Sequence, residues 1–241
     1  MAFQYEKEKA IAVAIEAGDI IKQAFTSRQL SFAPINFKED NEADLVTKTD
    51  QYVEAFVFTK LRESFPNHNF IGEESEAAKE NKSKSVDAPT WVVDPIDGTT
   101  NFVHATEYGS DRSTKVLKSK LDTISKVICS PTRGIRSLGS AALQCCFVAK
   151  GVFDAYWEAG VHIWDIAAGA LIVREAGGVF VGFGNGENNE NVVKEKVNYC
   201  SRRFLAVRPM KGDDFEKDKA VKLLRPLFED VPLEMDGPFG F

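Results

Sequence analysis

The chain has 241 residues, 44% of them apolar, enough for one sizeable domain or two packed subdomains. A net charge of −6 without any basic stripe excludes a nucleic-acid binder, and the solvated faces expected at Arg202-Arg203 and around Lys115 to Lys126 do not change that. No run approaches a membrane span, and the charged start Met1 to Lys9 lacks the apolar core of a signal peptide, so a cytoplasmic protein with no membrane partner is expected.

In chain order, residues 5–26 read as a long amphipathic helix with Ile11, Ala14, Ile15, Ile21 and Phe25 on its apolar stripe. Thr49-Asp50 is expected to cap a second helix whose Val53, Phe56, Val57 and Leu61 share one face. Strands are predicted at 68–72, 91–94, 126–130, 152–157, 178–182 and 203–207, and further helices at 112–124, 139–150, 164–176 and 213–229. Gly177-Gly178 supplies a C-cap, and residues 183–198 read as a polar loop. No internal repeat interrupts the pattern. Interleaved helices and strands argue for a layered α/β architecture. Cys129, Cys145, Cys146 and Cys200 show no metal spacing and read as core thiols of a reducing compartment. His68 reads as a surface turn residue, while His104 and His162 sit close to candidate acids in the sequence, which invites a supporting role.

The most informative stretch is Asp94-Pro95-Ile96-Asp97-Gly98-Thr99-Thr100-Asn101, directly after Trp91-Val92-Val93. A strand ending there delivers two carboxylates and a set of backbone N–H groups of phosphate size to one place. Pro95 holds Asp94 extended, and Gly98 permits a sharp turn toward a following helix. Taken alone, D-x-x-D-G-T is also compatible with a polar turn. Two more acidic stations fit the same chemistry. Glu73 and Glu74 follow the apolar Phe70-Ile71-Gly72, and Asp165 opens a segment of helical period containing Ile166, Ala170, Leu171 and Val173. Each has an ordinary reading, a solvated loop for the glutamates and a helix N-terminal acid for Asp165.

Phe70 to Ser75, Trp91 to His104, and Trp157-Glu158 through Gly178 together resemble the three motifs of the inositol monophosphatase family. Asp44 to Asp50 and Gly134 to Ala142 match supporting stretches, and the similarity reaches about Ala206. The resemblance implies a mixed α+β fold of the α/β class, the layered αβαβα sandwich of that family. It implies one domain over residues 1–241, with an N-terminal α+β part at about 1–125 and a C-terminal α/β part at about 126–241. It also implies a Mg²⁺-dependent, lithium-sensitive phosphatase with two or three ions per site, Mn²⁺ serving as a substitute, and a homodimer.

Matching positions inherit roles from the resemblance. One metal would be held by Glu73, Asp94 and the carbonyl of Ile96, and a second would share Asp94 and add Asp97 and Asp165. Thr99, supported by Asp50, would help Glu73 orient the attacking water. The N–H groups of Gly98 and Thr99 would meet phosphate oxygens, and Gly139, Ser140, Ala141 and Glu158 would meet substrate hydroxyls. All-oxygen ligation suits Mg²⁺ or Mn²⁺, and clustered carboxylates repel unless a cation sits among them. The expected partner is therefore a small-molecule phosphate monoester. A haloacid-dehalogenase-like phosphatase is the competing reading, because Gly212 to Asp218 resembles one of its motifs. That class needs D-x-D, whereas Asp94 and Asp97 are separated by two residues; the Gly212 run reads as a cap for the C-terminal helix.

One departure matters. In the family, a stretch on the order of 60 residues, supplying several strands of about 5–6 residues each, separates the counterparts of His104 and Ala105. Here Asn101-Phe102-Val103-His104 runs straight into Ala105-Thr106-Glu107-Tyr108, and no alternating apolar run lies between Val103 and Lys126. Loss of those strands is expected to leave Ile15, Phe25, Phe56 or Val57 partly exposed and a sheet edge open. Alternatives to full activity are an impaired or inactive member that keeps a metal or ligand site, and a chain that does not fold stably.

Overall fold

The computed structural model describes residues 3–28, 36–37, 45–46, 48–77, 87–99, 114–130, 132–182 and 203–210. The chain divides into two compact units, Met1–Thr106 and Glu107–Phe241.

The first unit begins with helix α1 (Gln4–Arg28) and the two-residue antiparallel pair β1 (Asn36–Phe37) and β2 (Leu45–Val46). The buried residues of α1 are Val13 and Ala17. Of the expected stripe, Ile21 and Phe25 are half-buried, while Ile11 and Ile15 are 51% and 63% exposed, the exposure of Ile15 being the one expected from the missing strands. A small residue and a β-branched one let α1 pack closely on helix α2 (Lys48–Ser64), and Lys60 bonds Glu16 at 3.2 Å on the rim. Helix α2 starts at Lys48, so Thr49 and Asp50 lie inside its first turn and not at the position before it. The expected α2 face turns inward and is broader than its four apolar residues. Phe58 is buried with Val53 and Leu61, Phe56 and Val57 are half-buried, and two acids, Asp50 and Glu54, share the inward side.

Strands β3 (Asn69–Gly72) and β4 (Thr90–Val93) pair in parallel, with short helix α3 (Glu73–Ala77) leaving β3. Val13, Phe58, Leu61, Phe65 and Phe70 form the core of this unit. His68, expected as a turn residue at the surface, is half-buried with its ring stacked on Phe65 at 4.9 Å.

The second unit opens with helix α4 (Thr114–Ile128). It covers 126–128 of the strand expected at 126–130, and a turn takes the rest. The apolar Val127-Ile128 pair carries no period of its own, and Thr123 and Val127, four apart, are both buried, so the helical period continues. Ser130 and Thr132 hydroxyls donate to Lys126 O and Val127 O (2.9 and 3.0 Å) and close the end. Helix α5 (Ala141–Ala149), strand β5 (Ala155–Ala159), helix α6 (Ile163–Glu175) and strands β6 (Val179–Gly182) and β7 (Arg203–Val207) follow. β7 is central in an antiparallel sheet of order β5-β7-β6. One face, with Tyr156, Phe180, Phe204 and Ala206, packs with Cys145 and Val148 of α5 and Ile166, Ala170 and Val173 of α6. The other presents Val179, Val181, Leu205 and Val207, all buried.

Helix α6 ends as its glycines predict. Gly177, at φ 84°, donates to Arg174 O (2.8 Å) and Gly178 to Val173 O (2.9 Å), the paired bonds of a Schellman cap. Of the cysteines described, only Cys145 is a core thiol; Cys129 and Cys146 are exposed. Arg203 is likewise buried, at 8% exposure, and not on a solvated face. The loop at 183–198, the helix at 213–229, the Gly212 run, His104, Arg202 and Cys200 lie outside the described residues.

A Cβ on Gly169 would stand 2.8 Å from Cys145 Cβ and 2.9 Å from its sulfur, so this glycine sets the α5–α6 separation. Gly169→Val is expected to destabilise the protein by roughly 2–3 kcal/mol through overpacking, measured as a lower denaturation midpoint in urea. A wild-type midpoint would refute the close-contact account.

Candidate active site

Parallel pairing decides where the acids of the first unit stand. The β3–β4 register sets Gly72 opposite Val93, so the next residues along, Glu73 and Asp94, leave adjacent strand ends on the same edge. Strands in a sheet lie about 4.8 Å apart, and the carboxyl ends of parallel strands are where open α/β sheets bind ligands. Pro95 and Ile96 are buried beneath the turn that follows, while Asp94, Asp97, Gly98 and Thr99 are half-buried. Gly98 has φ 80°, a left-handed conformation that turns the loop at this point.

Asp50 anchors that loop. It is 1% exposed on α2, and Thr99 Oγ1 lies 3.3 Å from its Oδ1 and 3.2 Å from Ile96 O, one hydroxyl proton shared between two acceptors. The Asp50–Thr99 contact implied by the resemblance is therefore present. The Ile96 carbonyl, expected as a metal ligand, also accepts from Thr99; a carbonyl oxygen has a second lone pair, so both uses are compatible.

Glu54, one turn along α2 from Asp50, was not anticipated. It is 4% exposed and accepts from the N–H groups of Glu74 (2.8 Å) and Ser75 (2.9 Å), and from the Ser75 hydroxyl. The available signal was an Asp-x-x-x-Glu pair on the same helical face as Leu61.

In the second unit, Asp165 occupies the first turn of α6 and its Oδ2 accepts the backbone N–H of His162, which holds its side chain in place. The His162 ring stacks on Trp164 at 4.5 Å. Glu158 lies on β5, half-buried, with Oε1 3.3 Å from the N–H of Ala159. Gly139 leads into α5, Ser140 is its N-cap with the hydroxyl accepting from Leu143 N at 3.1 Å, and Ala141 is buried. Gln144, also missed by the sequence reading, is buried and its Oε1 accepts the Leu138 N–H at 3.3 Å, steadying that loop.

The structure thus gathers Asp50, Glu73, Asp94, Ile96, Asp97, Gly98 and Thr99 round one strand end. It holds Gly139, Ser140, Ala141, Glu158 and Asp165 on the sheet and helices of the other unit.

Relatives of this chain carry the name inositol monophosphatase. Inositol monophosphatase 1 of Bos taurus is 34% identical over 272 aligned positions, spanning 85% of this chain and 95% of the relative. Two solved structures share the fold. Extragenic suppressor protein suhB from Bartonella henselae has a TM-score of 0.69 and 23% identity, over 95% of this chain and 100% of that one. Inositol monophosphatase from Anabaena has 0.66 and 21%, over 96% and 98%. The inositol monophosphatase family matches residues 4–110 and 105–210, and this chain belongs to it. It is therefore an α/β phosphatase of a metal-dependent family, and the haloacid-dehalogenase reading falls away. The two matched stretches meet where the sequence reading puts the break. The 272 aligned positions also exceed the chain's 241 residues, so the relative carries residues that this chain lacks. Among the described residues, no helix is long and apolar enough to cross a membrane.

Ser140→Ala removes the α5 N-cap and is expected to lower stability by about 1 kcal/mol, read from urea denaturation. An unchanged midpoint would mean that the hydroxyl does not cap the helix.

Proposed function

We propose that the protein is a Mg²⁺-dependent phosphate monoester hydrolase that releases phosphate from myo-inositol monophosphate. The observation that carries this reading is the parallel β3–β4 end, which brings Glu73 beside the Asp94–Thr99 loop while Asp50 holds Thr99. The donor set fits the ion: every candidate ligand is a hard oxygen, which selects Mg²⁺ or Mn²⁺ over soft metals.

In this reading Glu73, Asp94 and Ile96 O hold one ion, and Asp94, Asp97 and Asp165 a second. When bound, such ions supply Lewis-acid polarisation of the phosphate and of an attacking water. The protein does the rest. Glu73 and Thr99 orient the water and the Glu73 carboxylate takes its proton, with Asp50 keeping the Thr99 hydroxyl in register. The N–H groups of Gly98 and Thr99 hold phosphate oxygens. Asp165, Glu158 and the Gly139-Ser140-Ala141 segment meet the substrate hydroxyls. Because Ser140 Oγ is engaged as a cap, its expected contact with substrate is through the backbone. A cytoplasmic homodimer, inhibition by Li⁺ and a third ion belong to the same proposal.

The exposed Ile11 and Ile15 and the residues lacking relative to the bovine protein favour one second reading: a folded member with impaired turnover. Phosphate release from inositol 1-phosphate, with and without Mg²⁺, separates the two. Mg²⁺-dependent turnover is expected. Its absence from folded protein that still binds the ion would leave the impaired member. Asp94→Asn is expected to reduce turnover by more than the 10–100-fold typical of losing an outer partner of a metal ligand; wild-type rates in that variant would overturn the ligand assignment. Mg²⁺ at about 100 times its Kd is expected to add about 2.7 kcal/mol, a rise in Tm of roughly 5–10 °C for a chain of this size, measured by calorimetry. No rise at saturating Mg²⁺ would contradict a shared metal site.

A further inference from the structure

We propose that Glu54 is a positioning residue, whose buried carboxylate clamps the first turn of α3 and thereby aims Glu73 at the metal site; this rests on the metal-dependent reading above.

Helix α3 begins at Glu73, so the backbone donors of its second and third residues, Glu74 and Ser75, need acceptors outside the helix. A helix ordinarily meets that need with the side chain of the residue before its first turn. Here that residue is Gly72, which has no side chain to offer. Glu54, 20 residues before Glu74 and on α2, supplies the acceptors instead. Its Oε2 accepts from Glu74 N, and its Oε1 from Ser75 N and Ser75 Oγ. A carboxylate with almost no exposure needs such donors to remain in the core, so the contact fixes both partners at once.

Gly72 belongs to the same device. A Cβ there would fall 2.4 Å from Glu54 Oε2, 2.5 Å from its Cδ and 2.8 Å from Phe58 Cζ, so the strand end accepts the carboxylate only when residue 72 is glycine. Glu73 lies between Gly72, against which Glu54 packs, and Glu74, whose N–H Glu54 holds. Its backbone is therefore set by Glu54 from both sides. Glu54 bonds the backbone N–H groups of Glu74 and Ser75, so its action is through the backbone that carries the ligand. Asp50, one turn away on the same face, holds the other loop through Thr99.

The test is a titration with Mn²⁺ of the purified 241-residue chain, reading free ion by electron paramagnetic resonance, on protein whose circular dichroism matches wild type. Glu54→Gln places an amide donor against the α3 donors and is expected to weaken Mn²⁺ binding about 10–100-fold, the range for partners that orient metal ligands. Glu54→Asp keeps the charge but withdraws the carboxylate by one methylene. It is expected to weaken binding in the same direction, and it decides the matter should Glu54→Gln fail to fold. A purely structural Glu54 would lower the Tm of the metal-free protein and leave the Mn²⁺ midpoint where it is; that result in a folded variant overturns the proposal. Wild-type protein that binds no Mn²⁺ overturns the metal reading itself and this inference with it.

Discussion

The parallel pairing of β3 with β4 is the constraint from which the acidic end of the first unit follows. In an antiparallel pair the residues after Gly72 and Val93 would leave opposite edges of the sheet. In the parallel pair both chains exit on one edge, Glu73 into a short helix and Asp94 into a glycine-turned loop. The pair is held from behind by α2, whose Phe58 meets Phe70 at 5.2 Å edge-on, and by Phe65 and Trp91 at 5.4 Å. Burial of these aromatic faces fixes the strands, and the strands fix the acids.

Two buried carboxylates on α2 connect that core to the loops. Asp50 and Glu54 stand one helical turn apart on the inward face, where apolar residues would otherwise sit. A buried acid is costly unless hydrogen-bonded, and each finds donors at a strand exit: Asp50 the Thr99 hydroxyl, Glu54 the α3 backbone. The same charges that weaken α2 as a piece of core tie down the parts of the structure that carry the chemistry. In the second unit the supporting contacts are shorter in range. Asp165 is held by its own helix start, Ser140 caps its own helix and Gln144 steadies the loop six residues before it.

The motifs were legible because their residue types and spacing have few other uses in combination. Asp94-Pro95-Ile96-Asp97-Gly98-Thr99 after an apolar run announces a strand end with ligands, and the helix with Asp165 and its glycine cap was readable from period and capping alone. The expected mixed fold of the inositol monophosphatase type is the fold observed in the solved relatives. Errors came where a local signal admits two outcomes. Val127-Ile128 is as good an end to a helix as a start to a strand. On α1, Ile11 and Ile15 form as regular a stripe as Val13 and Ala17, and only packing against α2 chose the second.

The sequence by itself determined the acids, the loop that presents them, the family and the break after His104, since these are properties of residue identity and order along the chain. Tertiary structure alone decided that Ile11 and Ile15 of α1 stay outside the core, that β3 and β4 run parallel and in register, and that a glutamate 20 residues before Glu74 caps its helix. The physical reason is separation. Periodicity and turn chemistry act over a few residues, whereas Gly72 is glycine because of a carboxylate on another helix, and no local pattern in the chain records that contact.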